Sequence, residues 1–330
     1  MDLMKNDIRL NRRQFLRTSA AVAGFAGLSE GFIQSLAAET SNPAGPASVG
    51  TTVRFAPQLA VFSKIYQELH LDFEESAQVT AEARLDGVDC TVRDGGEIAP
   101  ERAAADMPRY AQALQKHGKA MLLLTTGIIG VTTPHARDIL RTAKKLGIRY
   151  YRLGYWPHQP GIAPEKLQKF IKAQLKELAA LNRELGVCAL FQNHSASKGK
   201  YGGAAGSDLA ELYEIVKDFD PQQIGVAFDL GHAIITHGDE WVPFFDKLKP
   251  HIQVAYIKDV QRPARFVHFG QGEFARTDIF RRLKAMNYQA PLSIHIEFDW
   301  TDGGKRKTKE ALIEALAETG RVVREWVAGA

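Results

Sequence analysis

Apolar residues fall along this chain in short β-type runs, each followed by a longer stretch with helical spacing. The runs are Leu59 to Phe62, Gly87 to Val92, Ala120 to Thr125, Tyr150 to Leu153, Val187 to Gln192, Ile224 to Asp229, Gln253 to Lys258 and Leu292 to Glu297. Near-continuous apolar runs of four to eight residues suit strands buried on both faces, as in a parallel sheet. Between and after them, Pro100 to Lys116, Pro164 to Leu185, Trp241 to Leu248 and Lys305 to Val327 read as amphipathic helices. The runs recur roughly every 30 to 38 residues, the rhythm of a (β/α)8 TIM barrel, and this α/β single-domain fold is the expectation. An open doubly wound sheet is the runner-up, but no Gly-x-Gly-x-x-Gly follows the first strand. The Gly202-Gly203 and Gly270-Gln271-Gly272 clusters lie in loops without that context.

A barrel carries its chemistry at the C-terminal ends of its strands. Strand one ends at Ser63-Lys64, strand two at Arg93-Asp94-Gly95-Gly96-Glu97, and strand four at Arg152 and Tyr155. Strand five ends at Gln192-Asn193-His194-Ser195, strand six at Asp229 and His232, strand seven at Lys258-Asp259, and strand eight at His295-Ile296-Glu297. Asp229, held at its root by a buried strand and open at its tip, suits a metal ligand or an acid/base, and strand six is expected to run from it into a loop. Glu297 offers a second carboxylate. His295, two residues earlier on the strand, points to the same side. Lys258 suits an oxyanion partner or base, His194 a polariser or base, and the planar fork of Arg93 a clamp on a hydroxyl, carboxylate or phosphate. Glu97, Arg152 and Tyr155 complete a candidate substrate rim.

Composition changes this picture little. Forty-two Lys and Arg against 38 Asp and Glu give a net charge of +4, with no basic run interleaved with aromatics, so a small ligand is favoured over nucleic acid. The N-terminus changes it more. Asn11-Arg12-Arg13-Gln14-Phe15-Leu16-Arg17 precedes a mildly apolar Ala/Gly-rich run, with small-residue cleavage sites at Ser35-Leu36-Ala37 and Leu36-Ala37-Ala38. Residues 1–38 therefore read as a twin-arginine signal peptide, 39–52 as a Pro/Gly/Ser-rich linker and 53–330 as the barrel. The expected partner is the twin-arginine export machinery, and the expected location periplasmic or secreted, with no stable membrane association after cleavage. Cys90 and Cys188 sit in apolar runs and read as buried reduced thiols. The oligomeric state is left open.

Phe62-Ser63-Lys64, the segment from Gly87-Val88-Asp89 to Arg93 and Gly95-Gly96, Gln192-Asn193-His194-Ser195 and His295-Ile296-Glu297 together make the chain similar to the xylose-isomerase-like barrel superfamily. The likeness is greatest to the branch labelled sugar phosphate isomerase/epimerase. That resemblance implies an enzyme acting on a sugar or sugar derivative by proton abstraction next to a carbonyl. A divalent ion would stabilise the enediolate: manganese first, with magnesium, cobalt or zinc as alternatives. The epimerases of the superfamily hold it with a Glu on strand five, an Asp on strand six, a His on strand seven and a Glu on strand eight. Asp229 and Glu297 match two of these, while Gln192 stands for the first Glu and Tyr256 for the His. The implied ligand set is Gln192, Asp229, His232 and Glu297, with His194 in place of His232 as an alternative. Glu297, Lys258 and His194 are the catalytic candidates, and Arg93, Glu97, Arg152, Tyr155 and His295 the substrate-binding ones. A keto-sugar lyase or hydratase and a non-catalytic sugar-binding barrel are the alternative readings.

Overall fold

In a computed structural model, which describes residues 55–195, 203–301 and 307–330, eight parallel strands close into a barrel. They are β1 (Leu59–Phe62), β2 (Gly87–Val92), β3 (Ala120–Thr126), β4 (Tyr150–Arg152), β5 (Cys188–Gln192), β6 (Ile224–Asp229), β7 (Ile252–Ile257) and β8 (Leu292–Ile294). Each pairs with its sequence neighbours, and β1 closes the ring on β8 with Val61 opposite Ile294. The (β/α)8 expectation is met. The signal-peptide and linker readings lie outside the described residues.

Which side chains enter the barrel follows from the period of two along each strand. On β2, the apolar Val88, Cys90 and Val92 alternate with Asp89 and Thr91. Ser293 of β8 donates a hydrogen bond to Asp89 at 2.8 Å, although β1 lies between the two strands, so this bond crosses the barrel interior. Thr125 of β3 donates to the other oxygen of Asp89 at 2.9 Å. The interior is thus polar above its base, and the apolar core lies between the strands and the surrounding helices. Tyr151, one residue before inward Arg152, reaches outward to Asn182 at 2.9 Å. Cys90 and Cys188 are both buried and free of disulfides, as expected from their apolar runs.

The outer helices are α1 (Phe73–Glu82), α2 (Ala103–Lys116), α3 (Ala136–Lys145), α4 (Pro164–Leu185), α5 (Leu209–Val216), α6 (Leu230–His237), α7 (Trp241–Leu248), α8 (Ile279–Ala285) and α9 (Lys309–Ala328). Local chemistry sets several ends. Asp72 and Glu75 form a reciprocal capping box on α1, and Asp208 caps α5. No helix among the described residues is long and apolar enough to cross a membrane.

One expectation is corrected at the centre of the site. Strand six does not run into a loop: α6 starts directly after Asp229, whose side chain accepts from the His232 N–H at 3.2 Å and serves as N-cap. The apolar run simply changes period from two to 3.6 without a break. A second departure follows β7, where Val260–Gln261 and Arg265–Phe266 form a short antiparallel ribbon.

Candidate active site

Five strand ends meet around Lys258. Tyr256 and Lys258, two apart at the end of β7, both turn inward. Lys258 is 2% exposed, and its stem packs against Gly231, where a Cβ would stand 2.6 Å from Lys258 Cγ. Glycine at that position therefore makes room for the lysine. The ammonium donates to Asp229 Oδ2 at 3.1 Å and to His232 Nε2 at 3.0 Å, with Glu297 Oε1 at 4.0 Å. An ammonium has three donors and no acceptor, so the third N–H is left toward the mouth on the Glu297 side.

The proton positions around it follow from the same chemistry. Because Lys258 can only donate, His232 Nε2 must accept, and the imidazole proton sits on Nδ1, 2.8 Å from Ser195 Oγ. Burial first, then the charge of Lys258, holds the His232 and His295 imidazoles well below the usual histidine range, and His194 is lowered by the same two causes. All three are neutral at pH 7. His194 donates from Nδ1 to the Ser195 carbonyl at 3.0 Å, which leaves Nε2 as a lone-pair base. Its ring packs on that of His232 with centroids 3.9 Å apart.

Asp229 is fully buried and held from several sides. Asn193 clasps its backbone, accepting from the Asp229 N–H at 2.7 Å and donating to its carbonyl at 2.8 Å. Gln192 donates from Nε2 to Asp229 Oδ2 at 2.9 Å, and this fixes its amide, since the carboxylate can only accept. Gln192 Oε1 is consequently turned away to the Tyr155 hydroxyl, which donates at 2.7 Å.

Deeper in the barrel, Arg152 is 3% exposed, with its guanidinium 4.6 Å from the Tyr155 ring centroid and its Nη1 without a hydrogen-bond partner among the described residues. Buried His295 Nε2 and Arg93 Nε are likewise unpartnered there. His295 lies between the rings of Phe62 and Tyr256, at 4.4 and 4.5 Å. Below them Asp89 is raised by burial, against the pull of Ser293, Thr125 and Arg152. Over Lys258 lies the Phe266 ring, centroid 5.5 Å from Nζ, carried on the ribbon after β7. Asp259 holds that segment by accepting from the N–H groups of Val260, Gly270, Gly272 and Phe274 at 2.8–3.1 Å. A Cβ on Gly272 would stand 2.1 Å from Asp259 Oδ1, so the Gly270-Gln271-Gly272 cluster closes around a carboxylate.

The sequence-predicted residues thus divide. Gln192, His194, Asp229, His232, Lys258 and Glu297 come together, with Arg93, Arg152, Tyr155 and His295 around them. Glu97 does not belong. The segment after β2 folds back through the Val92–Ile98 bridge, and both Glu97 carboxylate oxygens are sealed from solvent. Burial pushes that carboxyl up to about 8, only partly offset by Ser63, Tyr110, Cys90 and Ser76. Sequence reasoning passed over the roles of Asn193, Ser195, Asp259 and Phe266; for Asp259, the adjoining Gly-Gln-Gly was the available signal.

The described residues do not fit a divalent ion as arranged. Gln192 offers an N–H where a ligand oxygen would be needed, both His232 nitrogens are engaged, and Asp229 Oδ2 already accepts twice. Burial keeps the Tyr256 phenol protonated, its pKa raised well above the ordinary value. Among the described residues no group of three or more His, Cys, Asp or Glu is disposed to hold a metal ion. A divalent ion about 4 Å from the Lys258 ammonium would be repelled by about 8 kcal/mol at an effective dielectric of about 20.

Residues 77–319 match the family described as Xylose isomerase-like TIM barrel. The chain belongs to this family. Among solved structures, this xylose isomerase-like barrel is similar to D-psicose 3-epimerase with D-tagatose from Clostridium cellulolyticum H10. That match has TM-score 0.65 and 12% identity, covering 82% of this chain and 99% of the other. It is also similar to 3-keto-D-glucoside 4-epimerase from E. coli, with TM-score 0.62 and 14% identity over 81% of this chain and 100% of that one. A Xylose isomerase-like TIM barrel protein from Mycobacterium smegmatis in complex with magnesium matches with TM-score 0.60 and 13% identity, over 82% of this chain and 98% of that one. At these identities the likeness is one of fold. An uncharacterized protein of Methanocaldococcus jannaschii is 26% identical over 180 residues, 51% of this chain and 57% of that relative's length.

Proposed function

We propose that this barrel is an exported enzyme that isomerises or epimerises a sugar or sugar derivative by moving a proton at the carbon next to a carbonyl. The observation that carries this reading is the Lys258 ammonium, buried between Asp229 and Glu297 with one N–H left for a ligand oxygen. The Glu297 side chain, 29% exposed where that of Asp229 is 0%, is the carboxylate a substrate can reach, and it acts as the base. Neutral His194, with Nε2 as its open lone pair, is the second proton-transfer group. Arg152, Arg93, Tyr155 and His295 supply polar contacts for hydroxyl groups. The epimerase neighbours support the substrate class.

Incubation with aldoses, ketoses and keto-glycosides in D₂O tests this. Deuterium should enter the carbon next to the carbonyl, and Glu297→Gln should abolish it. Absence of both exchange and product with every sugar would overturn the reading. One observation favours a second outcome on the same mouth: Gln192 cannot take a proton, so an elimination needing a base on one face only, as in a keto-sugar lyase, also suits the site. Formation of an unsaturated product would identify it. The Arg12-Arg13 pair supports export by the twin-arginine route. Replacing both by Lys should retain the protein in the cytoplasm, and undiminished export would refute that route.

A further inference from the structure

We propose that the Lys258 ammonium is the resident cation of this active site, standing where a divalent metal ion would otherwise sit between Asp229 and Glu297. The inference rests on reading the barrel mouth as the reaction site, and deepens it by assigning the electrophile to the chain itself.

Four independent features support it. The ammonium lies 3.1 Å from one carboxylate and 4.0 Å from the other, so it already occupies the space between the two anionic groups. The fold clears that space for it, since any side chain at Gly231 would collide with the lysine stem and with the Lys258 carbonyl, 2.6 and 2.9 Å from a Cβ. The neutral groups around it are turned to serve a donor: His232 presents a lone pair, and Gln192 presents its N–H to Asp229 and its oxygen to Tyr155. Finally, Phe266 covers the ammonium from the ribbon that Asp259 holds in place, which excludes water and strengthens its field.

The resulting step is balanced without any added reactant. Glu297 removes the proton from the carbon beside the carbonyl. The C–H electron pair becomes the C=C bond of an enediol(ate), the carbonyl π pair moves onto oxygen, and the third Lys258 N–H hydrogen-bonds to that oxygen. For isomerisation the proton on Glu297 is then delivered to the former carbonyl carbon, while the hydroxyl proton of the carbon that lost its hydrogen passes to the former carbonyl oxygen. Return to the same carbon from Glu297 gives exchange only, and inversion there takes a proton delivered from the opposite face through His194.

The test is manganese binding, read without reference to turnover. Purified wild type, stripped with chelator, is titrated with Mn²⁺ and followed by electron paramagnetic resonance and thermal melts, beside Lys258→Met, Gln192→Glu and the double variant. Wild type and Gln192→Glu should bind no stoichiometric manganese and show no melting shift. Lys258→Met should bind at least tenfold more tightly than wild type, and the double variant more tightly again. One tightly bound manganese per wild-type chain, with a melt lowered by chelator, overturns the proposal, and this measurement needs no variant to fold. Folded Lys258→Met and double variants that bind no better than wild type overturn it as well. Failure of the enzyme reading is separable: no turnover with the expected manganese pattern leaves the cation assignment standing, whereas manganese-dependent turnover by wild type refutes the assignment and keeps the enzyme.

Discussion

The Asp229–Lys258 pair allows a quantitative test by double-mutant cycle. At 3.1 Å and an effective dielectric of about 20, the two charges attract by about 5 kcal/mol, most of it offset by the cost of removing both from water. Removing one partner leaves the other charge buried without compensation, at a cost of about 3–5 kcal/mol. Asp229→Asn should fall at the upper end, because Lys258 is then left with only the neutral His232 and the more distant Glu297. Lys258→Met should fall at the lower end, since Asp229 keeps the Gln192 and His232 N–H groups. The double variant buries neither charge and should be no less stable than the weaker single, which makes the coupling about 3 kcal/mol or more. Chemical denaturation of the four proteins at pH 7 measures it. Single effects that add within about 0.5 kcal/mol would show that the two groups do not interact and would refute the geometry on which the site is built.

Gly231→Ala should cost about 1–3 kcal/mol and lower turnover, because the new Cβ displaces the Lys258 stem; an unchanged melt would contradict the close approach. Glu97 gives a pH signature: its carboxyl is raised from 4.5 to about 8, so the folded state holds a proton that the unfolded state releases across that window. Wild-type stability should accordingly fall by about 1.4 kcal/mol per pH unit between about pH 4.5 and 8 relative to Glu97→Gln, and parallel pH profiles would refute the assignment. Asp259→Ala should release the amides of Gly270, Gly272 and Phe274 to fast hydrogen exchange while the β7 amides stay protected; unchanged protection at Gly270 and Gly272 would refute the holding role.

The architecture was legible because parallel strands buried on both faces leave apolar runs that helices of this amphipathic kind do not. Their ends were less so. The run to Glu297 reads as one strand, yet the strand ends at Ile294 with one further bond from the His295 N–H to the Ile257 carbonyl, and the alternation of side chains persists beyond it. Residues at or just past strand ends, as Gln192, Asp229 and Lys258, do lie together in the structure. The polar rim misled at Glu97, where Ile98 pairs back onto Thr91 and Arg93 and turns the carboxylate under the segment, a tertiary contact with no local pattern. Lys258-Asp259 in sequence suggests an ion pair. The two charges serve different ends, however: Lys258, just past β7, meets Asp229, and Asp259 gathers four backbone N–H groups.

The substitutions that set this chain apart from the implied epimerase pattern make sense as one change. That pattern places three carboxylates around a dication, for a net charge of minus one. Here Gln192 removes one negative charge and Lys258 supplies one positive charge in place of two, so Asp229, Glu297 and Lys258 also sum to minus one. Either replacement alone would change the charge of the cluster by one unit beside the buried Asp229 and Lys258. Tyr256 fits the same logic, because a neutral phenol packed beside His295 fills the strand-seven position without offering a ligand to an ion that the lysine displaces. An electrophile tethered by its own peptide chain also needs no binding equilibrium. Its occupancy does not depend on the metal content of the compartment in which the protein works.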